Sequence, residues 1–167
     1  IAGGLAKEGM LPFVYSITPF ATLRCLEQIK LDLCYHGSRA VVVGVGGGYS
    51  YGENGPTHHG IEDLGLMRLL PGMTVFSPAG PDEVRACVRA IDVISGPAYI
   101  RLGRTGEPDI HPPDKPFDIF KAETLRDGTD ITLIATGPIL NGAIEAAKEL
   151  EARAVSARVV RVSCIKP

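Results

Sequence analysis

His58 closes a short string, Tyr51-Gly52-Glu53-Asn54-Gly55-Pro56-Thr57-His58, that joins a titratable imidazole to an enforced turn. Asn54-Gly55 followed by Pro56 fixes a tight turn. Thr57 and His58 then stand just ahead of an apolar run that begins at Ile61. A histidine on a strand-to-helix loop, on the side where α/β sheets bind ligands, exchanges protons near neutral pH. Taken alone, the same residue also suits a helix cap or a hydrogen bond to a loop carbonyl. His36, His59 and His111 have no partners at metal-ligand spacing and read as structural, so no metal site is expected. Upstream, Gly44-Val45-Gly46-Gly47-Gly48 invites a dinucleotide-binding reading, which fails. The register would need glycine at Tyr49 or Tyr51, no helix opens directly after it, and the Gly-Lys-Ser/Thr of a phosphate loop is absent. The chain has 20 glycines, and seven of the seventeen residues from Gly44 to Gly60 are glycine. Such a concentration signals unusual backbone angles or a close approach.

The elements that must carry these residues alternate between strand and helix. Ile1 to Gly9 reads as the last turns of a helix closed by Gly9. With no N-cap ahead of it, this start suggests a missing upstream segment. Leu11–Ile17 is a short strand, and Thr18-Pro19 looks like an N-cap with proline at the first helical position. Leu23, Leu26, Ile29 and Leu33 then predict a helix from Pro19 to about Tyr35. Ala40–Val45 is a continuous β-branched run of the buried parallel kind. Ile61–Leu70 reads as helix, Met73–Phe76 as strand, Pro81–Ser95 as helix and Ala98–Leu102 as strand. This is the pattern of a parallel sheet with helices on both faces. The segment 103–118 holds Pro108, Pro112, Pro113 and Pro116 and reads as a linker or long surface segment. A second unit, 119–167, offers a strand at Ile131–Thr136, a helix at Ile139–Arg153 and a strand at Ser156–Cys164. It is expected to be an incomplete second α/β domain, too small to close a core alone.

Composition excludes several classes. Hydrophobic residues make up 45% and the net charge is −2, which suits a globular core and excludes a disordered chain. With no basic excess, nucleic acid is an unexpected partner. No apolar run approaches the ~20 residues that span a bilayer, and no signal peptide is visible, so no membrane partner is expected. Cys25, Cys34, Cys87 and Cys164 are scattered without a CxxC pair and read as reduced thiols, which suggests a cytoplasmic protein.

The order of segments carries a further signal. Ser16-Ile17-Thr18-Pro19-Phe20 comes first, then Gly52-Glu53-Asn54-Gly55-Pro56-Thr57-His58. Asp63 and Arg68 follow on the next helix, before Leu70-Pro71-Gly72-Met73, and Tyr99-Ile100-Arg101-Leu102-Gly103-Arg104 closes the series. This order and spacing resemble the pyrimidine-binding domain of transketolases, most of all the separate C-terminal subunit of split transketolases, with deoxyxylulose-phosphate synthase a near relative. Asp130 to Pro167 is similar to the opening of that family's C-terminal domain. The resemblance implies the thiamine-diphosphate-binding fold, with residues 1–118 as the pyrimidine-binding domain and 119–167 as the start of the next. It also implies transfer of a two-carbon ketol unit from a ketose to an aldose. The cofactor would be thiamine diphosphate, with Mg2+ held by a diphosphate-binding partner subunit or domain in an oligomer. Phe20 matches the aromatic that stacks on the pyrimidine, with Ile17 and Leu23 beside it; flat apolar rings pair well. Without the resemblance, Phe20 would read as core. His58 matches the histidine at the donor carbonyl, and Arg104 matches an arginine that holds a substrate phosphate, a group its guanidinium fork suits.

Three departures stand against this pattern. Relatives carry a histidine where this chain has Gly46, a place near the substrate phosphate. The aspartate that contacts a substrate hydroxyl is Asn54 here, which keeps the shape and loses the charge. Relatives also carry a glutamate about six residues before the position of Ile1, and the Gly-Asp-Gly diphosphate motif belongs to the partner. The resemblance therefore implies an enzyme incomplete as given that acts on phosphorylated sugars, while the departures at Gly46 and Asn54 point away from a standard sugar phosphate and toward a different tail group on the donor or acceptor. The alternative is a non-catalytic structural or regulatory relative that keeps the fold and dimer surface, a reading that Gly46 and Asn54 favour.

Overall fold

The computed structural model describes residues 1–112 and 115–167. Pro113 of the proline-rich segment lies outside the described residues. A short helix, α1 (Ala2–Lys7), ends as expected at Gly9, whose φ of +82° suits glycine. It leads into β1 (Phe13–Ile17). The helix predicted from Pro19 to Tyr35 is instead four pieces: α2 (Thr18–Ala21), a 3-10 turn (Leu23–Cys25), α3 (Leu26–Gln28) and a seven-residue π-helical stretch (Ile29–Tyr35). The first break has a local cause. The Thr22 hydroxyl donates back to the Thr18 carbonyl at 2.7 Å while Thr22 itself leaves helical angles. Thr18 is not the N-cap; it is the first helical residue, and its buried hydroxyl donates to the Val45 carbonyl at 3.0 Å.

The remaining elements are β2 (Val41–Val45), α4 (Asp63–Leu69), β3 (Thr74–Phe76), α5 (Pro81–Ala90), β4 (Ala98–Leu102), β5 (Glu123–Arg126), β6 (Ile131–Ala135), α6 (Ile139–Glu151), β7 (Ala157–Arg161) and β8 (Cys164–Lys166); they keep the predicted order with trimmed ends, except that β5 and a separate β8 were not expected. Strands order as β1-β2-β4-β3-β8 in one sheet and β5-β7-β6 in a second. The first four strands are parallel. Alternation along β2 splits the core in two. Val42 points to Ile29, Leu33, Met67 and Tyr99 on one face, and Val41 and Val43 point to Phe76, Cys87 and Ile91 on the other. The expectation of a mixed α/β fold with helices on both faces of a parallel sheet therefore holds.

The last strand of the second unit joins the first sheet. Ser156–Cys164 is not one strand: β7 stays with β6, while β8 crosses over and pairs antiparallel with β3. A buried carboxylate explains the crossing. Glu83, wholly buried on α5, accepts the Ala79 N–H at 2.8 Å and the Ser163 hydroxyl at 2.7 Å. Its other oxygen faces His111 Nε2 at 3.2 Å and Arg161 Nε at 3.4 Å. Arg161 is itself buried and reaches Glu123 at 3.3 Å. A charge taken from water needs such partners, and here they come from the linker and the second sheet. His111 stacks on Phe117 with centroids 3.7 Å apart. The proline-rich segment is thus clamped at His111.

Glu123 offers a test. Burial raises its carboxyl, but the Lys115 hydrogen bond and charge, with His111 and Arg161, outweigh this and hold it below its ordinary value. A carboxyl depressed by folding contributes stability above its unfolded pKa and loses it as pH falls through the folded value. Urea midpoints are therefore expected to fall as pH drops below about 4.5, the usual glutamate pKa. Glu123→Gln is expected to flatten that acid limb.

Candidate functional site

Three parallel strands end together. Ile17, Val45 and Leu102 stand in register across β1, β2 and β4. From those carboxyl ends leave the three segments that the sequence singled out: Thr18–Phe20, the loop from Gly46 to His58, and Gly103–Arg104. The ends of parallel strands are where α/β sheets leave backbone groups and side chains free for ligands.

The long loop is closed at its base. Gly48 and Gly60 exchange backbone hydrogen bonds at 2.7 and 2.9 Å, and the Gly46 N–H donates to the Leu102 carbonyl at 3.1 Å. Inside it, Gly55 takes φ +75° after a 3-10 turn at Gly52–Asn54, the turn expected from Asn54-Gly55-Pro56. Under the base lies a buried polar knot that the sequence reading did not assign. The Tyr99 hydroxyl donates to Asp63 at 2.6 Å, and Arg101 Nε lies 3.2 Å from the same oxygen. Arg101 also donates to the Gly60 carbonyl. Burial raises the Asp63 carboxyl, with Arg101 and the Tyr99 hydroxyl pulling it back. Burial, then the adjacent Asp63, drives the Tyr99 phenol well above its ordinary value. The glycines make room for this knot: a Cβ on Gly47 would overlap Arg101, and one on Gly60 would overlap Thr18. The available signal was compositional. Asp63 stands on the same helix as the apolar Leu64, Leu66 and Met67, and Arg101 interrupts an apolar strand.

Above the knot the candidate residues meet. The Phe20 and His58 rings lie edge to face, with centroids 5.0 Å apart. Phe20 belongs to neither buried cluster of the first sheet. Its face carries the exposed Arg24 guanidinium, 4.2 Å from the ring centre. His58 Nδ1 is 3.0 Å from the Thr57 hydroxyl. Tyr51 lies 6.2 Å from the His58 ring and 4.9 Å from the Arg104 guanidinium. Gly46, at φ +78°, sits directly beneath Tyr51. Ile17 is half-buried at the end of β1. Leu23 and Asn54 are exposed on the rim and stand outside this set of contacts. His59 bonds the Gly52 carbonyl at 3.2 Å, a structural use, as expected. All four cysteines are free. Among the described residues, no group of three or more His, Cys, Asp or Glu is placed to hold a metal ion.

With this geometry in hand, comparison with known proteins is decisive about kinship. Residues 1–107 match the family model described as the transketolase pyrimidine binding domain, and residues 120–167 match the transketolase C-terminal domain. The chain belongs to the transketolase family. It is 39% identical to an apulose-4-phosphate transketolase subunit of Phocaeicola vulgatus, over 100% of this chain and 54% of that protein. It is also 39% identical to the 6-deoxy-6-sulfo-D-fructose transketolase subunit SqwH of Clostridium sp. (strain MSTE9), over 100% of this chain and 52% of that protein. Its structure matches a split-gene transketolase solved as an inactive beta4 tetramer, with TM-score 0.85 and 39% identity, covering 98% of this chain and 52% of that one. The chain therefore spans about half the length of the curated relatives it matches. The likeness to split transketolase subunits read from the motifs holds.

In this transketolase fold the knot holds the loop that carries His58. Asp63→Ala is expected to leave Arg101 and Tyr99 without their buried partner and to cost about 3–5 kcal/mol in urea unfolding. Amide exchange over 48–60 is expected to speed up along with it.

Proposed function

We propose that this chain is the pyrimidine-binding portion of a transketolase that moves a two-carbon ketol unit from a ketose to an aldose with thiamine diphosphate. One observation carries the reading: an aromatic face, an imidazole and an unspent guanidinium converge at the ends of three parallel strands. The fit to the cofactor rests on Phe20. Its ring is half-buried and stands outside the buried clusters of the first sheet, and the exposed Arg24 guanidinium on its face is a side chain that a flat aminopyrimidine can replace. Ile17 and Leu23 would flank that ring. When bound, the cofactor supplies a carbanion-stabilising centre for cleavage of the ketose carbon–carbon bond. This chain's residues orient the substrate around it. His58, held by Thr57, would bond the donor's carbonyl end and move protons there. Asn54 would accept from or donate to a sugar hydroxyl on the rim. Arg104, with Gly46 nearby, would take the substrate's anionic end.

The reading divides the chain into a pyrimidine-binding domain, 1–118, whose linker is 103–118, and the beginning of a C-terminal domain, 119–167. It assigns the diphosphate and Mg2+ to a partner subunit in a cytoplasmic oligomer of carbohydrate metabolism. The outer strand supports a partner: β1 exposes Phe13 at 48% and Tyr15 at 68%. Apolar edges of this kind are usually covered. Among the described residues, no helix is long and apolar enough to cross a membrane. The relatives' names mention a 4-phosphate and a 6-sulfo group, both anionic, which supports a phosphorylated or similarly charged sugar.

In the full-length complex, His58→Ala is expected to lower kcat by about 10²–10⁴ while leaving the urea midpoint near wild type. Equal loss of both would make His58 structural. Phe20→Ala is expected to weaken cofactor binding by calorimetry about 3- to 10-fold, the worth of one aromatic stack.

A further inference from the structure

We propose that Tyr51 selects the substrate by seating Arg104 for a terminal phosphate-type oxyanion, an inference that rests on the ketol-transfer reading above. The tyrosine occupies a space made for it. Gly46 is buried with φ +78°, and a Cβ there would overlap Tyr51 Cδ2 and Cε2. The direction in which a side chain at 46 would point is filled by a ring arriving from five residues downstream. That ring faces two groups: the His58 imidazole at 6.2 Å and the Arg104 guanidinium at 4.9 Å.

The consequence for Arg104 is chemical. Its neighbour Arg101 is spent on Asp63 and the Gly60 carbonyl. Arg104 is exposed and reaches the Ser50 carbonyl at 3.4 Å; among the described residues no carboxylate lies within ion-pair distance of it. Glu107, the nearest acidic side chain in sequence, turns against Gly103. A guanidinium laid near an aromatic face keeps its in-plane N–H groups directed outward, free for two oxygens of one anion. An exposed arginine loses side-chain freedom when it binds, and the ring removes part of that cost beforehand. Tyr51 thus neighbours both the imidazole and the guanidinium of the proposed site.

The test uses the full-length natural chain with its partner subunit. Inorganic phosphate is titrated by calorimetry into wild type, Tyr51→Ala, Tyr51→Leu and Tyr51→Phe. Affinity is expected to fall about tenfold in the alanine and leucine variants and to be restored by phenylalanine, which keeps the ring face; leucine guards against collapse of the loop. In turnover, KM for a ketose phosphate is expected to rise about tenfold more than KM for the same ketose without its phosphate. Unchanged phosphate affinity in both Tyr51→Ala and Tyr51→Leu would overturn the inference. So would a parallel rise of the two KM values. Phosphate binding needs no turnover, so Tyr51-dependent binding without any ketol transfer would strike the proposed function and still support this role.

Discussion

A carboxylate with almost no access to water holds the candidate site in place. Asp63 is 1% exposed, and an unpaired charge so placed costs several kcal/mol. Tyr99 and Arg101 supply the pairing from the centre of the sheet, and Arg101 carries the connection on to the Gly60 carbonyl. Gly60 closes the loop against Gly48, so the interaction that relieves the buried charge also fixes the base of the segment bearing Tyr51 and His58. The glycines follow from this arrangement. Gly47 admits Arg101, Gly60 admits Thr18, and Gly46 admits Tyr51.

The same physics recurs at the other end of the chain. Glu83 is buried and must find donors, and it finds them in Ser163, His111 and Arg161. That requirement draws the last strand across to β3 and ties the proline-rich linker down at His111. The two sheets are therefore joined by a polar network as well as by apolar contacts around Ala79 and Leu140. The arrangement fixes the second sheet against the first.

Much of this was legible in the residues. The run Val41–Val45 marked its strand because a sheet buried on both faces demands continuous β-branched residues. Gly9 and Gly55 marked positive φ where chain direction changes. The segments bearing Phe20, His58 and Arg104 were legible because their motifs follow strand ends, and the fold brings strand ends together. Other features depend on partners distant in sequence. The break at Thr22 comes from a hydroxyl choosing its own backbone over the helix ladder, which periodicity does not register. The crossing of β8 depends on a carboxylate 80 residues away, and the knot under the loop joins residues 36 apart. Tyr51 stood inside the most informative string, yet its place became visible only with its ring lying where a side chain at Gly46 would point.

Under the proposed function, Phe20, His58 and Arg104 line one ligand site. The most direct measurement is a crystal structure of the full-length complex with thiamine diphosphate and a phosphorylated ketose. The aminopyrimidine is expected against the Phe20 face in place of Arg24, with the sugar running from His58 to Arg104 along Tyr51. Arg24 still on Phe20, with the cofactor or the sugar bound elsewhere, would contradict it.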